Sequence, residues 1–269
     1  MPVIPIKSLA DPGLEPYAAL TERQLRHDGL VIAESAPVIR LALEHGLTPV
    51  SMLMDARHVT GKAAKLIADH PDIPVYTGDE EQLKSLTGYA LTRGILCALR
   101  RGAPRDIRDA LTGKRFALLC GLTDGANVGA LFRSAAALGA DGVLLSPDCC
   151  DPLTRKAVRT SMGSVFTLPW AFIGEEDWPD HFFSLLGEKN ITAAAMTLRP
   201  GSVPLDKAPW PAGSGRAIVL GPEGPGLPER MEDLCPLKVH IPMNRGIDSL
   251  NVAAAGAVAF WQAFREEDA

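Results

Sequence analysis

The sequence predicts an α/β protein whose mostly parallel sheet is covered by helices on both faces. Short apolar runs alternate with segments of helical period along nearly the whole chain. The alternation is interrupted once, by the charged Gly- and Pro-containing stretch RRGAPRDIRDALTGKR, and then restarts in longer units. Glycine and polar residues gather directly after the strongest strand signals, where open parallel sheets bind their ligands.

Between Leu30 and Arg101 the units are LVIAE, SAPVIRLALEHG, VSMLMD, TGKAAKLIADH, PVYTG and GILCALRR, which together describe a small α/β domain. Ser35 is the expected N-cap of the first helix and Gly46 its stop, with Val38, Leu41, Ala42 and His45 at helical spacing. The charged stretch reads as the interdomain connection, placing an N-terminal domain over 1–106 and a second over 107–269. In the second half the order is strand FALLCGL, helix NVGALFRSAAALG, strand GVLLS, helix LTRKAVRTSMG and strand SVFTLPW. Val128, Leu131, Phe132, Ala135 and Leu138 fall on one helical face. There follow a helix around HFFSLLGEKN, strand ITAAAMT, a Pro/Gly-rich loop over 199–215, strand RAIVLG, PERMEDLC, KVHIPM and a last helix from about Ser249 to Arg265.

Composition narrows the function classes. With 269 residues, 46% of them hydrophobic, each domain can build its own core. The five cysteines, Cys97, Cys120, Cys149, Cys150 and Cys235, contain no C-x-x-C pair and read as reduced thiols rather than a disulfide framework or a zinc site. MPVIPIKSLADPGL has neither a basic start nor a long apolar stretch, and no apolar run reaches the roughly 18 residues of a membrane span. A cytoplasmic protein without metal or membrane partner is expected. The net charge of −5 argues against non-specific coating of nucleic acid. The window from Arg93 to Arg115 is different: Arg93, Arg100, Arg101, Arg105, Arg108, Lys114 and Arg115 face only Asp106 and Asp109. If RNA is bound, the first five arginines are the expected phosphate contacts; otherwise the window is a solvated connector.

Three segments carry chemistry. In LTDGANVGALFR a strand opens into a helix, whose N-terminus offers unpaired N–H groups and a positive dipole end. Asn127 there is a helix cap or a ligand contact, and Arg133 a surface charge or a reactive-site group. GPEGPGLPER packs three glycines and two prolines into residues 221–227, straight after AIVL, and cannot be helix or ladder. Glu223 within it is a ligand contact or a loop brace. The segment is no G-x-G-x-x-G fingerprint, and the chain has no phosphate-loop motif, which weakens the nucleotide-dependent oxidoreductase that α/β alternation alone would suggest. In IPMNRGIDSLNVAAAGAVAFWQAF a strand passes through Asn244, Arg245, Gly246, Asp248, Ser249 and Asn251 into a helix that begins with small residues. Ser249 is its expected cap.

Together these segments resemble the SpoU/TrmH family of RNA ribose 2′-O-methyltransferases, within the SPOUT superfamily. Asn127-Val128-Gly129 with Arg133 is similar to the first family motif, Gly221–Leu227 to the second, and Ile241–Met243 with Ser249–Ala255 to the third, over residues 116–265. Residues 20–101 look like the family's small substrate-binding domain of ribosomal-protein-like α/β type. One departure is Asp124-Gly125-Ala126-Asn127, where many members carry a proline between Asp and Asn.

The resemblance implies a C-terminal trefoil knot, a homodimer and S-adenosylmethionine as cofactor. It implies catalytic roles for Asn127, Arg133, Glu223, Ser249 and Asn251, and a cofactor pocket built from Leu220, Gly221, Glu223, Gly224, Gly226, Ile241, Met243, Ser249 and Leu250. The implied substrate is structured RNA, with rRNA favoured over tRNA. A guanidinium holds its protons tightly and is a poor base, so Arg133 is expected chiefly to orient the target phosphate and hydroxyl. The alternative is an RNA-binding protein that kept the fold and lost turnover.

Overall fold

The computed structural model describes residues 3–18, 22–91, 94–246 and 249–265. Arg93 and Asp248 lie outside the described residues. By their contacts the residues form two compact units, Met1–Ala103 with Leu153–Thr167, and Pro104–Pro152 with Leu168–Ala269. No single cut therefore divides the sequence: the helix read in LTRKAVRTSMG belongs with the N-terminal unit.

In the N-terminal unit the order is β1 (Val3–Pro5), α1 (Glu22–His27), β2 (Leu30–Glu34), α2 (Ala36–Glu44), β3 (Pro49–Asp55), α3 (Ala64–Asp69), β4 (Val75–Gly78), α4 (Glu80–Thr87) and β5 (Ile95–Arg100). The sheet order is β1-β4-β3-β5-β2, with β5 antiparallel to both of its neighbours and the other pairs parallel. Strand β1 and helices α1 and α4 are absent from the sequence expectations. The signal for α4 was there, a reciprocal capping box in which Gln82 N–H donates to Asp79 Oδ1 at 2.8 Å and Asp79 N–H to Gln82 Oε1 at 3.1 Å.

Ser35 does not cap α2. Its N–H continues the sheet by donating to Ile95 O at 2.9 Å, its φ is 86°, and its side chain makes no capping bond. The ladder fixes the backbone before the helix begins, and the sheet wins over the cap. Helices α7 (Arg155–Thr160) and α8 (Ser164–Thr167) complete the unit, α7 on β2 and α8 on α2. A strand over SVFTLPW was expected. Ser164–Thr167 instead forms one helical turn against α2, Pro169 ends it, and pairing resumes only at Trp170. A four-residue turn is too short for its period to outweigh β-branched and aromatic content.

The C-terminal unit contains α5 (Ile107–Ala110), β6 (Arg115–Leu119), α6 (Gly125–Ala137), β7 (Gly142–Leu145), β8 (Trp170–Phe172), α9 (Asp180–Glu188), β9 (Ile191–Met196), β10 (Val203–Pro204), β11 (Gly215–Leu220), α10 (Glu229–Leu234), β12 (Leu237–His240) and α11 (Val252–Phe264). Its seven strands are all parallel, in the order β10-β12-β9-β11-β6-β7-β8. Side chains alternate across the sheet. Phe116, Leu118, Ala193, Ala195, Ala217 and Val219 pack with Phe182, Leu186 and Met231 of α9 and α10. The opposite face carries α6 and α11, which pack on each other and on the sheet. At their crossing a Cβ on Gly256 would stand 2.3 Å from Leu131 Cδ2 and 3.1 Å from Leu220 Cδ1, so any larger residue would have to displace the Leu131 side chain. The far end of α11 is held by Arg216 Nη1 and Arg115 Nη1, which donate to the carbonyls of Ala263 at 2.9 Å and Phe264 at 3.3 Å.

Candidate functional site

The carboxyl ends of β9, β11 and β12 lie side by side, and the loops leaving them wall a cavity of about 790 Å³. Such strand ends are where a parallel sheet leaves backbone groups available to a ligand. The loop after β11 is shaped by its glycines. A Cβ on Gly221 would meet Leu227 N at 2.8 Å, so the turn that folds Leu227 back onto it requires glycine. Gly224 sits at φ +89°, a conformation that side chains rarely adopt.

All nine residues expected in the cofactor pocket, Leu220, Gly221, Glu223, Gly224, Gly226, Ile241, Met243, Ser249 and Leu250, line this one cavity. Its walls are largely apolar, with Met196, Leu198, Val252 and Ala255 added to those already named. Leu198 and Leu250 are exposed at its edge. Thr197, Arg199, Glu232 and His240 also line it and escaped the sequence reading. Their only signal was position: Thr197 follows a strand, and nothing in the sequence tells that β9 lies between β11 and β12.

Glu223 binds three segments together. Its Oε1 accepts from Val252 N–H at 3.0 Å and Asn127 Nδ2 at 3.5 Å, and also from Asn251 Nδ2. Asn251 Nδ2 donates in addition to Asn127 Oδ1 at 3.1 Å. A carboxylate at the first turn of α11 is favoured by the helix dipole and by N–H groups without intrahelical partners. The loop-brace reading of Glu223 thus has a definite geometry, although the residue stays exposed and faces the cavity.

Two capping expectations are corrected. Asn251, and not Ser249, caps α11, its Oδ1 accepting from Ala253 N–H at 3.0 Å and Ala254 N–H at 3.4 Å. Ser249 lies two residues earlier on the cavity wall. At α6 the cap is Asp124, whose Oδ1 accepts from Ala126 N–H at 2.7 Å, and Asn127 is left inside the first turn with its amide free for Glu223. Neither Asn127 nor Arg133 lines the cavity: Asn127 is tied to its wall through Glu223 and Asn251, whereas Arg133 is exposed on α6, six residues beyond Asn127.

In the basic window, Arg100, Arg105 and Arg108 are exposed and Arg101 is half-buried. Arg100 Nη1 lies 3.4 Å from Asp28 O, which accepts from it. Arg115 is structural, since its Nε lies 3.8 Å from Asp141 and its Nη1 bonds α11. Among the described residues no group of three or more His, Cys, Asp or Glu is arranged to hold a metal ion, and no helix is long and apolar enough to cross a membrane.

The chain is similar to known proteins in sequence and in fold. An uncharacterised tRNA/rRNA methyltransferase of Mycobacterium bovis is 35% identical over 264 residues, covering 95% of this chain and 89% of its own. A 23S rRNA (guanosine-2′-O-)-methyltransferase of Acinetobacter baylyi is 28% identical over 74% of this chain and 82% of its own. The crystal structure of an AdoMet-bound rRNA methyltransferase from Sinorhizobium meliloti superposes with a TM-score of 0.82 at 25% identity, covering 97% of each chain. The SpoU methyltransferase AviRb of Streptomyces viridochromogenes, in complex with AdoMet, has the same fold, with a TM-score of 0.77 at 22% identity over 94% of this chain and 95% of its own. Residues 114–261 match the SpoU rRNA Methylase family, and the chain belongs to that family.

Proposed function

We propose that the protein is a cytoplasmic RNA methyltransferase that transfers a methyl group from S-adenosylmethionine to a ribose 2′-hydroxyl of structured RNA, ribosomal RNA before transfer RNA. The observation that carries the proposal is the Glu223 carboxylate, which gathers Asn127, Asn251 and the first N–H of α11 at the edge of a cofactor-sized cavity. A relative named as a tRNA/rRNA methyltransferase and another named as a 23S rRNA (guanosine-2′-O-)-methyltransferase support the same reading.

The cavity suits the cofactor. About 790 Å³ is within the usual range for small-molecule sites, and its walls combine apolar surface for a purine with polar groups for a ribose and an amino acid. In this proposal the segments around Leu220, Gly221, Ile241, Met243 and Leu250 hold the adenosyl part, while Gly224 and Gly226 let backbone approach it. The cofactor supplies an electrophilic methyl group on a sulfonium. The protein's task is alignment, because an in-line displacement depends on a near-attack geometry. Asn127 and Ser249 are hydrogen-bond partners for the hydroxyl, Glu223 and Asn251 fix their placement, and Arg133 orients the phosphate and hydroxyl of the RNA. The N-terminal unit and Arg100, Arg101, Arg105 and Arg108 are assigned to RNA.

Since Arg133 lies outside the cavity of its own chain, we place the working site in a homodimer. Trp261, 64% exposed, and Val258, 43% exposed, offer an apolar face of α11 for the contact. The trefoil knot implied by the family is part of the same proposal.

Mapping of 2′-O-methyl groups in RNA from cells with and without the gene tests the activity: one or more sites should vanish. Arg133→Ala should lower methylation about 10²-fold while S-adenosylhomocysteine affinity stays within a few-fold. Equal loss of cofactor and RNA binding would make Arg133 structural.

A further inference from the structure

The polar wall formed by Thr197, Arg199 and Glu232 belongs to the same cavity and has no part in the function argued so far. Glu232 is only 4% exposed. Its Oε1 accepts from the Thr197 hydroxyl at 2.8 Å, and its Oε2 lies 2.9 Å from Arg199 Nη1 without a hydrogen bond of good geometry among the described residues. Arg199 is also paired with Glu229, and with Asp233 at 3.5 Å. Its pKa is raised, first by the neighbouring Glu232 carboxylate, so the guanidinium stays charged and balances the buried carboxylate.

This pairing decides what Thr197 can do. A hydroxyl has one hydrogen to donate and two lone pairs with which to accept. The Thr197 hydroxyl donates its hydrogen to Glu232 Oε1, which commits that hydrogen. One lone pair is taken by Arg199 N–H at 3.1 Å. One acceptor position is left on the hydroxyl of this cavity-lining residue. Thr197 follows β9, which lies between β11 and β12, and its N–H donates to Val239 O at 2.9 Å. It therefore stands between the strand ends that lead into Leu220–Gly221 and into Ile241, the segments assigned to the adenosyl part.

Resting on the proposed cofactor, we infer that Thr197 is a specificity residue of this pocket: held as a pure acceptor by Glu232, it takes a hydrogen bond from a donor on the adenosyl group. The adenosyl group has two kinds of donor, the ribose hydroxyls and the exocyclic amine of the purine. A ligand offering only an acceptor at that point meets an unpaired lone pair and is disfavoured.

Calorimetric titration of the full chain with S-adenosylhomocysteine, its 2′-deoxy and 3′-deoxy forms, and the analogue lacking the exocyclic amine tests this without turnover. Thr197→Val should weaken S-adenosylhomocysteine about tenfold, the scale of one hydrogen bond. One analogue, the one missing the donor that Thr197 reads, should bind the variant and the wild type equally. Thr197→Ser, which restores the hydroxyl, should return affinity to within about threefold. A common loss for the parent compound and all three analogues would overturn the inference, since damage to the fold weakens every ligand alike. Unchanged affinity of Thr197→Val for S-adenosylhomocysteine would overturn it too. Failure of the wild type to bind any of the four would instead bring down the cofactor reading, and this inference with it.

Discussion

Two carboxylates face one cavity in opposite ways. Glu223 is exposed and lies in a glycine-rich loop, where it joins side chains from α6 and α11. Glu232 is buried on α10, charge-paired with Arg199 and bonded to Thr197. The first can be removed at little cost to the fold, because its partners can turn to water. The second cannot, because a buried carboxylate serves there as acceptor of the Thr197 hydroxyl and counter-charge of Arg199. Activity and stability should therefore separate along this pair.

The largest effect is expected on Glu223. Glu223→Ala should reduce methyl transfer about 10²-fold, measured under single-turnover conditions on RNA, with unfolding free energy changed by less than about 1 kcal/mol. A variant that keeps wild-type turnover would reduce Glu223 to a loop brace. Next comes Glu232→Ala, expected to cost about 2–3 kcal/mol in denaturant unfolding by removing a buried acceptor. Should it unfold like the wild type, the distinction between the two residues disappears.

A smaller effect belongs to Asn251, which serves both groups of interactions, capping α11 and bonding Glu223. Asn251→Ala should lower stability by about 1 kcal/mol, the usual worth of a cap, and should also lower turnover. Loss of stability alone would detach it from Glu223.

The smallest effect concerns Cys235, three residues beyond Glu232, whose thiol burial pushes up from 9.0 to about 12. Between about pH 9 and 12 the unfolded chain loses a proton that the folded chain keeps, so stability should fall with rising pH over that window. At pH 8 iodoacetamide should leave Cys235 unmodified in the native protein and label it faster in Glu232→Ala. Equal labelling rates would show that Glu232 does not hold α10 closed.

The same pair shows how far the sequence could be read. Glu223, Asn127 and Asn251 stand in short segments with an unusual composition, so each was found as a candidate from its own neighbours. What joins them is one carboxylate spanning 96 residues to Asn127 and 28 to Asn251, which only the fold can display. Thr197 and Glu232 carry no local signature. Their pairing depends on the order of β9, β11 and β12, and strand order is not written in hydrophobic period. The same limit explains the errors at Ser35 and at Ser164–Thr167, where a sheet bond and a neighbouring helix overruled local preference. Strands β6, β7 and β11 were legible because both faces of a parallel sheet are covered, which leaves near-continuous apolar runs, whereas the two-residue β10 lay within the expected loop over 199–215.

The segment Leu153–Thr167 has a consequence for inheritance. It is encoded within the methyltransferase half but belongs by its contacts to the N-terminal unit. Recombination that exchanged residues up to Ala103 as a block would deliver a new N-terminal unit beside an old α7 and α8, shaped for the surface of β2 and α2 that had just been lost. The two halves of this gene must then diverge together at that seam, and a working graft would have to carry fifteen residues from the far side of the junction.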